Sequence, residues 1–403
     1  MLSRALEGVK VAALVQGVTG PLTTAILASC GAEVLRIETR TRLEWHRHAG
    51  PFLDNITSPD RSVTYLFVNP GVYGITLNLK HPRGMEVMSR IVKWADVVVE
   101  NFAGGQMVKL GLGYEDLKKI RPDMIMLSAA IYGQSGPMAT LGGAGTPLTA
   151  MTGFPHITGF PDQMPQFPGF ALTDFVAPRA NVLAICAALS YRHRTGKGQY
   201  IDAAQMESAV PLLSPLLLEY TVNGKEAARM GNRCAYAAPH GVYRCKGDNR
   251  WCAITVFNDE QWRRFGEAIG SPAWTQAAEF ATLSGRLEDE DRLDRLVGEW
   301  TMGHSSEDVI GRMQSAGVPA GVVQDAADLD ADPQLRHRHF YWELDHPGMG
   351  KFTYSGMPVV FSGTPYEVRR APMLGEHNEF VYTRLLGIPQ EEFARLDAEG
   401  AFE

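Results

Sequence analysis

The stretch VKVAALVQGVTGPLTTAILASCGAEVLRIE, residues 9–38, decides the fold. VKVAAL (9–14) is short, almost wholly apolar and reads as a buried strand. VQGVTG follows as a turn. PLTTAILASCG (21–31) opens on proline and stops on Gly31, the punctuation of a helix. AEVLRIE (32–38) is a second strand. Strand, helix and strand in so short a span form a βαβ unit. Its two strands must be parallel, because the helix carries the chain back to the starting edge.

Outward from this unit the alternation continues. GITLNL (74–79), DVVVEN (96–101) and MIMLSAAIYG (124–133) read as strands. PRGMEVMSRIVKWA (82–95) carries apolar residues at helical spacing, and GYEDLKKIRP (113–122) is a shorter helix. The pattern predicts a doubly wound α/β domain with a parallel sheet. Past residue 200 the texture changes. MESAVPLLSPLLLEYTVNG (206–224) predicts a long apolar helix interrupted by Pro211 and Pro215. GVYRCKGDNRWCAITVF (241–257) predicts two strands about a KGDN turn, and two amphipathic stretches follow at 259–271 and 293–317. This α+β material suits a smaller second domain. Strands return in FYWELDHPGMGKFTYSGMPVVF, and the final HNEFVYTRLLGIPQEEFARLDAEG is helical.

Composition narrows the function. The 403 residues are 45% hydrophobic and carry a net charge of −7, without the basic surplus of a nucleic-acid protein. Five scattered cysteines show no CxxC spacing, so neither a disulfide framework nor a metal site is expected. No uninterrupted apolar run reaches membrane-spanning length, and the first residues lack a leader pattern. The expectation is a cytoplasmic protein with no membrane and no nucleic-acid partner.

Two places invite chemistry. The turn at 15–20 with Glu38 at the end of the next strand has the outline of a dinucleotide site. It has only Gly17 and Gly20, and Pro21 removes an N–H that a phosphate would use, so a tight βα turn is the better reading. The second place is Asp174, ahead of the apolar run NVLAICAAL (181–189). An aspartate there can cap a helix. A carboxylate can also act as a covalent nucleophile on an activated acyl group such as a thioester. The residues alone leave both readings open.

Five blocks in order carry a resemblance. They are LEGVKVAALVQGVTGPLTTAILASCGAEVLRIE (6–38), ADVVVENFAGGQMVKLGLGYEDLKKIRPDMIMLSAAIYGQSGP (95–137), TDFVAPRANVLAICAALSYRHRTGKGQYIDAAQMES (173–208), GNRCAYAAPHGVYRCKGDNRWCAI (231–254) and AGVPAGVVQDAADLDADPQLRHRHFY (316–341). The chain resembles the class III CoA-transferase family, which includes formyl-CoA and carnitine CoA-transferases and 2-methylacyl-CoA racemases. The resemblance implies a Rossmann-like large domain from both chain ends (1–205 and 325–403). It also implies a linker helix with a small α+β domain (206–324), and an intertwined dimer of interlocked rings. A heteromer with a related subunit is the alternative assembly.

The resemblance also assigns residues. Asp174 is implied as the nucleophile, passing through an anhydride and an aspartyl-CoA thioester, with coenzyme A as co-substrate and no metal or tightly bound cofactor. Gln16, at a strand-end turn facing the expected cleft, is a candidate to orient the acyl group, and the run LGGAGTP with Gly142, Gly143 and Gly145 is a candidate to close over the anhydride. Arg40, Asn101, Phe102, Lys109, Gln134 and His240 are implied along the CoA. Two departures stand out: NPGVY (69–73) has Val72 where the family usually has lysine, and NFAGG has Ala103 in place of arginine. The segment TRTRLEWHRHAGPF (39–52) places Arg47 and His48 near the expected mouth. With TGFPDQMP (158–165) it is similar to members that activate aromatic or dicarboxylic acids from succinyl-CoA. The family's racemases carry a histidine ahead of the aspartate segment. LGGAGTP (141–147) has none, which favours a transferase over a racemase. A non-catalytic partner subunit is the remaining alternative, against which the retained Asp174 weighs.

Overall fold

Six parallel strands form the main sheet: β1 (Lys10–Leu14), β2 (Glu33–Glu38), β3 (Tyr73–Thr76), β4 (Val97–Glu100), β5 (Ile125–Ala130) and β6 (Tyr200–Ala204). Their order is β3-β2-β1-β4-β5-β6, that of a doubly wound sheet whose winding reverses between β1 and β4. A parallel sheet needs cover on both faces, and alternate residues of each strand supply two apolar layers. On one face Ala12, Leu35, Val98 and Met126 pack with Val87, Ile91 and Leu117. On the other, Val11, Val34, Val97 and Leu127 meet Leu27 and Ala28 of the helix Thr19–Ser29 and Ile185 and Ala188 of the helix Leu172–Thr195.

The computed structural model describes residues 4–403, which divide into two units. The larger runs to Phe154 and continues through Phe167–Gly224 and Leu335–Glu403, so both ends of the chain contribute to it. The smaller comprises Pro155–Gln166 and Lys225–Gln334. It holds a three-stranded antiparallel sheet of β7 (His240–Arg244), β8 (Trp251–Thr255) and β9 (Ala320–Val322), packed on Trp262, Phe265, Phe280, Leu293, Val297 and Met313. The division therefore differs from the expected 206–324. Residues 206–224 stay with the main sheet, because their first turn follows β6 directly and buried Gln205 is bonded to Thr173.

Three further differences have local causes. β6 carries no sequence signal, since an edge strand with a half-exposed YIDAA pattern shows neither an apolar run nor strict alternation. The expected long helix at 206–224 is a short helix (Gln205–Ala209), a 3-10 turn (Val210–Leu213) and a second helix (Ser214–Asn223). Pro211 and Pro215 each lack the N–H that would continue the ladder. The late strands β10 (Tyr341–His346) and β11 (Gly350–Ser355) pair only with each other and do not extend the main sheet. The chain's end does reach it. The Ala401 carbonyl accepts from Asn78 N at 2.8 Å, the Phe402 carbonyl from Thr76 Oγ1 at 2.6 Å, and Tyr382 stacks on Phe402 at 4.2 Å.

The helix Leu172–Thr195 is long and apolar enough to cross a membrane by length and composition alone, with 33% of its most apolar window buried. One face lies against the sheet. Leu183 on the other is 72% exposed.

Candidate active site

Asp174 does not cap its helix. The helix begins at Leu172, which places Asp174 in the first turn, and the boundary residue Ala171 offers no side-chain cap. The first turn still favours a negative charge through the helix dipole. Pro178, four residues on, cannot donate to the Asp174 carbonyl, so the ladder is open at this point. The carboxylate's bonds go to other segments. Its Oδ1 accepts from Thr19 Oγ1 at 3.1 Å and from Gln205 Nε2. Gln205 Nε2 also donates to Thr173 Oγ1 at 3.1 Å. Oδ2 stands against the backbone of Gly145, where an added Cβ would lie 2.2 Å from it. One oxygen is thus anchored and the other faces a position with room for no side chain.

The anchoring groups are themselves fixed. Thr19 opens its helix, where Thr23 Oγ1 donates to the Thr19 carbonyl at 2.7 Å and Asn181 Nδ2 donates to Thr23 Oγ1 at 3.2 Å. Gln205 directly follows β6. Gly20 lets this helix approach the strand ends, since a Cβ there would fall 2.7 Å from Val15 Cβ and 2.9 Å from Asn101 Cγ. At the point where the winding reverses, Asn101 spans β1 and β4. Its Oδ1 accepts from Gln16 N at 2.8 Å and its Nδ2 donates to the Gln16 carbonyl at 2.7 Å. Ligands of doubly wound sheets gather at this crevice, outside the carboxyl ends of the strands.

Beside the carboxylate lies a buried ionic cluster. Arg47 is fully buried and holds Glu38 with two bonds, Nε to Oε1 at 2.7 Å and Nη2 to Oε2 at 2.8 Å. It also donates to Asp60 Oδ1 at 2.9 Å and lies 3.6 Å over the Tyr65 ring. Arg36, also fully buried, donates to Asn69 Oδ1 at 2.6 Å and approaches Glu38 at 3.6 Å and Glu44 at 3.5 Å. Glu44 Oε2 accepts from Gly17 N at 3.1 Å, and its Oε1 lies 3.7 Å from His46 Nδ1. Burial pushes the Glu38 and Glu44 carboxyls up, but Arg36 and Arg47 at Glu38, and the His46 side chain, Arg36 and the Gly17 N–H at Glu44, hold both below the ordinary range. This corrects the expectation that Arg47 faces the mouth of the site, for it is an interior strut. Glu38, filled by Arg47 and Tyr65, has no oxygen to spare for a ribose.

The remaining sequence candidates fall in several places. Gln16 is exposed at the end of β1, and Arg40 is exposed two residues beyond β2. Phe102 is half-buried with its N donating to Glu100 Oε2 at 2.7 Å, and Lys109 is exposed at the end of a short helix after β4. Among the described residues neither Arg40 nor Lys109 forms an ion pair. Gln134, after β5, accepts from Gly105 N at 3.1 Å and its own N donates to Asp202 Oδ1 at 2.9 Å. All of these sit at the same carboxyl ends as Asp174's anchors. Gly142 and Gly143 are exposed, and the glycine at the carboxylate is Gly145. His240 lies on β7 in the smaller unit, bonded to the Asn232 carbonyl and lining a cavity of about 730 Å³ with Arg244 and Arg295. Val72 is buried in the apolar layer, so that position is core here. Sequence reasoning missed Thr19, Gln205 and His46. The usable signal was positional, since each follows a strand end.

Burial holds the Asp174 carboxyl above its ordinary value of 3.8, against the hydrogen bonds from Gln205 and Thr19 and the field of His46. A side chain in this place would attack an acyl group only as the carboxylate. In that role activity is expected to fall with pH, with the acid limb of kcat/KM at a higher pH than an exposed aspartate would give. A pH–rate profile checks this. Gly145→Ala is expected to lower kcat by about 10²-fold or more, because the new methyl must displace Oδ2. Steady-state kinetics beside a melting curve separates this from unfolding.

Among known proteins, the model of CoA-transferase family III matches residues 6–378. The succinyl-CoA–D-citramalate CoA-transferase of Chloroflexus aurantiacus is 31% identical over 401 residues, covering 98% of each chain. The succinyl-CoA:glutarate CoA-transferase of Mus musculus is 30% identical over 399 residues, 99% of this chain and 90% of the relative. The crystal structure of a CAIB/BAIF family protein from Brucella suis superposes with a TM-score of 0.88 at 31% identity, covering 96% of this chain and all of that one.

Proposed function

Because the chain belongs to CoA-transferase family III, we propose that it moves CoA from succinyl-CoA to a second free dicarboxylic acid through acylation of Asp174. The observation that carries this reading is the asymmetry of the carboxylate, with Oδ1 anchored by Thr19 and Gln205 and Oδ2 set close against Gly145. The donor and acceptor class is supported by the succinyl-CoA transferases it resembles along nearly its whole length.

Oδ2 of Asp174 adds to the thioester carbonyl of the donor. The C–S bond breaks, and CoA leaves as thiolate from an aspartyl–succinyl anhydride. The thiolate then attacks the aspartyl carbonyl, releasing succinate and leaving aspartyl-CoA thioester. The acceptor carboxylate attacks that thioester and expels the thiolate. The thiolate in turn attacks the acceptor's acyl carbon, and the Asp174 carboxylate is restored. No proton is transferred and one thioester replaces another, so the exchange needs no external energy. A desolvated carboxylate is the more reactive nucleophile, and burial of Asp174 fits that role.

In this reading Arg40 and Lys109 meet CoA phosphates, with Asn101, Phe102, Gln16 and Gln134 along the cleft at the strand ends. The enzyme acts in the cytoplasm as a dimer of identical chains. The helix Ser214–Asn223 has no buried residue, and Leu217, Leu218, Tyr220 and Val222 are all about half or more exposed. A second copy would cover them, and light scattering is expected to return twice 44.2 kDa. The central test is trapping. Hydroxylamine added during turnover with succinyl-CoA should convert Asp174 to its hydroxamate, read by peptide mass. A peptide left unmodified at Asp174 under turnover sinks the reading.

A further inference from the structure

We infer that His46 reads the distal carboxylate of the dicarboxylic acyl group held on Asp174, with Glu44 fixing the imidazole from behind. This rests on the reading of Asp174 as the acylated residue. A succinyl group joined there places its second carboxylate about 4–5 Å beyond the reacting carbon, from ordinary bond lengths. A buried carboxylate at that distance needs a polar or cationic partner.

The cluster beside the site supplies one. Arg36 and Arg47 are fully buried and turned to Asn69, Glu38 and Asp60. His46 stands next to the site through short links: its Nδ1 faces Glu44 at 3.7 Å, Glu44 accepts from Gly17 N at 3.1 Å, and Thr19, two residues on, bonds Asp174 Oδ1 at 3.1 Å. It is 7% exposed, on the turn Trp45–Arg47 that buried Arg47 pins. Its Nδ1 has no hydrogen-bond partner, and the facing Glu44 Oε1 has none either, across 3.7 Å. Glu44 is held in turn by Gly17 N and by Arg36. Two orphaned, complementary atoms face each other at a distance that a small ring rotation closes. Closing it commits Nδ1–H to Glu44, and the inferred contact takes the ring as an imidazolium held between two carboxylates, with Nε2–H donated to the distal carboxylate of the acyl group. The exposed Trp45 ring, in edge contact with the imidazole at 4.5 Å, limits its other motion.

The prediction is selectivity. Succinyl-CoA and butyryl-CoA have acyl chains of the same carbon count and differ in the distal carboxylate. Single-turnover CoA release from each donor would be measured for the wild type, His46→Ala, His46→Gln and Glu44→Gln. The alanine variant is expected to lose about 50-fold in the rate constant at low substrate with succinyl-CoA, but less than about 3-fold with butyryl-CoA. His46→Gln, which keeps an N–H, should recover part of the loss, and Glu44→Gln should show a smaller loss with the same selectivity. Equal losses with both donors would make His46 a structural residue and overturn the inference, as would an unchanged rate with succinyl-CoA. A wild type that transfers CoA from no donor removes the Asp174 reading and this inference with it. A wild type that transfers without dependence on His46 removes this inference alone.

Discussion

On the proposed mechanism, Asp174→Asn is expected to lower the rate of CoA transfer by about 10⁴-fold or more while leaving the melting temperature unchanged or higher. The first half follows from chemistry: asparagine cannot form the anhydride, and removing a covalent nucleophile leaves only binding and positioning. The second half follows from linkage. Burial raises the Asp174 carboxyl above its unfolded value. As pH rises, the unfolded chain gives up that proton first, so the folded state loses stability relative to it through that window. At neutral pH the ionised carboxylate is thus a net cost to the fold, and the neutral amide removes it. Its oxygen can still accept from Thr19 and Gln205. A variant that turns over within 100-fold of the wild type defeats the mechanism. A large drop in melting temperature would instead mean that the carboxylate holds the fold together.

The second large effect is on stability. Arg47→Met is expected to cost about 3–5 kcal/mol, because it strands Glu38 in the interior with two bonds gone. Urea denaturation should show a lower midpoint at unchanged slope. Glu38 is held below its ordinary value by Arg36 and Arg47, which outweigh burial. Its contribution is therefore present above the unfolded pKa and lost as pH falls through the folded one. The double variant Glu38→Gln with Arg47→Met should recover much of the loss, since the stranded charge is removed with its partner. Additive losses in the pair would show that Arg47 acts through packing on Tyr65 rather than through Glu38.

Much of this architecture could be read along the chain. Residues 9–38 imposed parallel pairing, because apolar runs joined by a helical segment leave one economical way to bury both faces of a sheet. β1, β2, β4 and β5 lie where their apolar runs place them, and Asp174 stood out once its surroundings resembled the family segment. β6 did not, because an edge strand exposes half of its residues and leaves no pattern.

The active-site partners were beyond reach for a related reason. Periodicity records which face of an element is buried, not which side chain from elsewhere meets it. Thr19 and Gln205 lie 155 and 31 residues from Asp174, yet both bond the same oxygen. Of the three glycines in LGGAGTP it is Gly145 that borders the carboxylate, a choice among them that the composition of the run does not encode. Arg47 looks like a surface cation in the string and is an interior strut in the fold. The order of residues settled the sheet and the family and singled out Asp174, because burial patterns and motifs are local. Packing across the sheet alone decided which groups share the Asp174 oxygen and which charges are sealed, because those contacts exist only when distant strand ends converge.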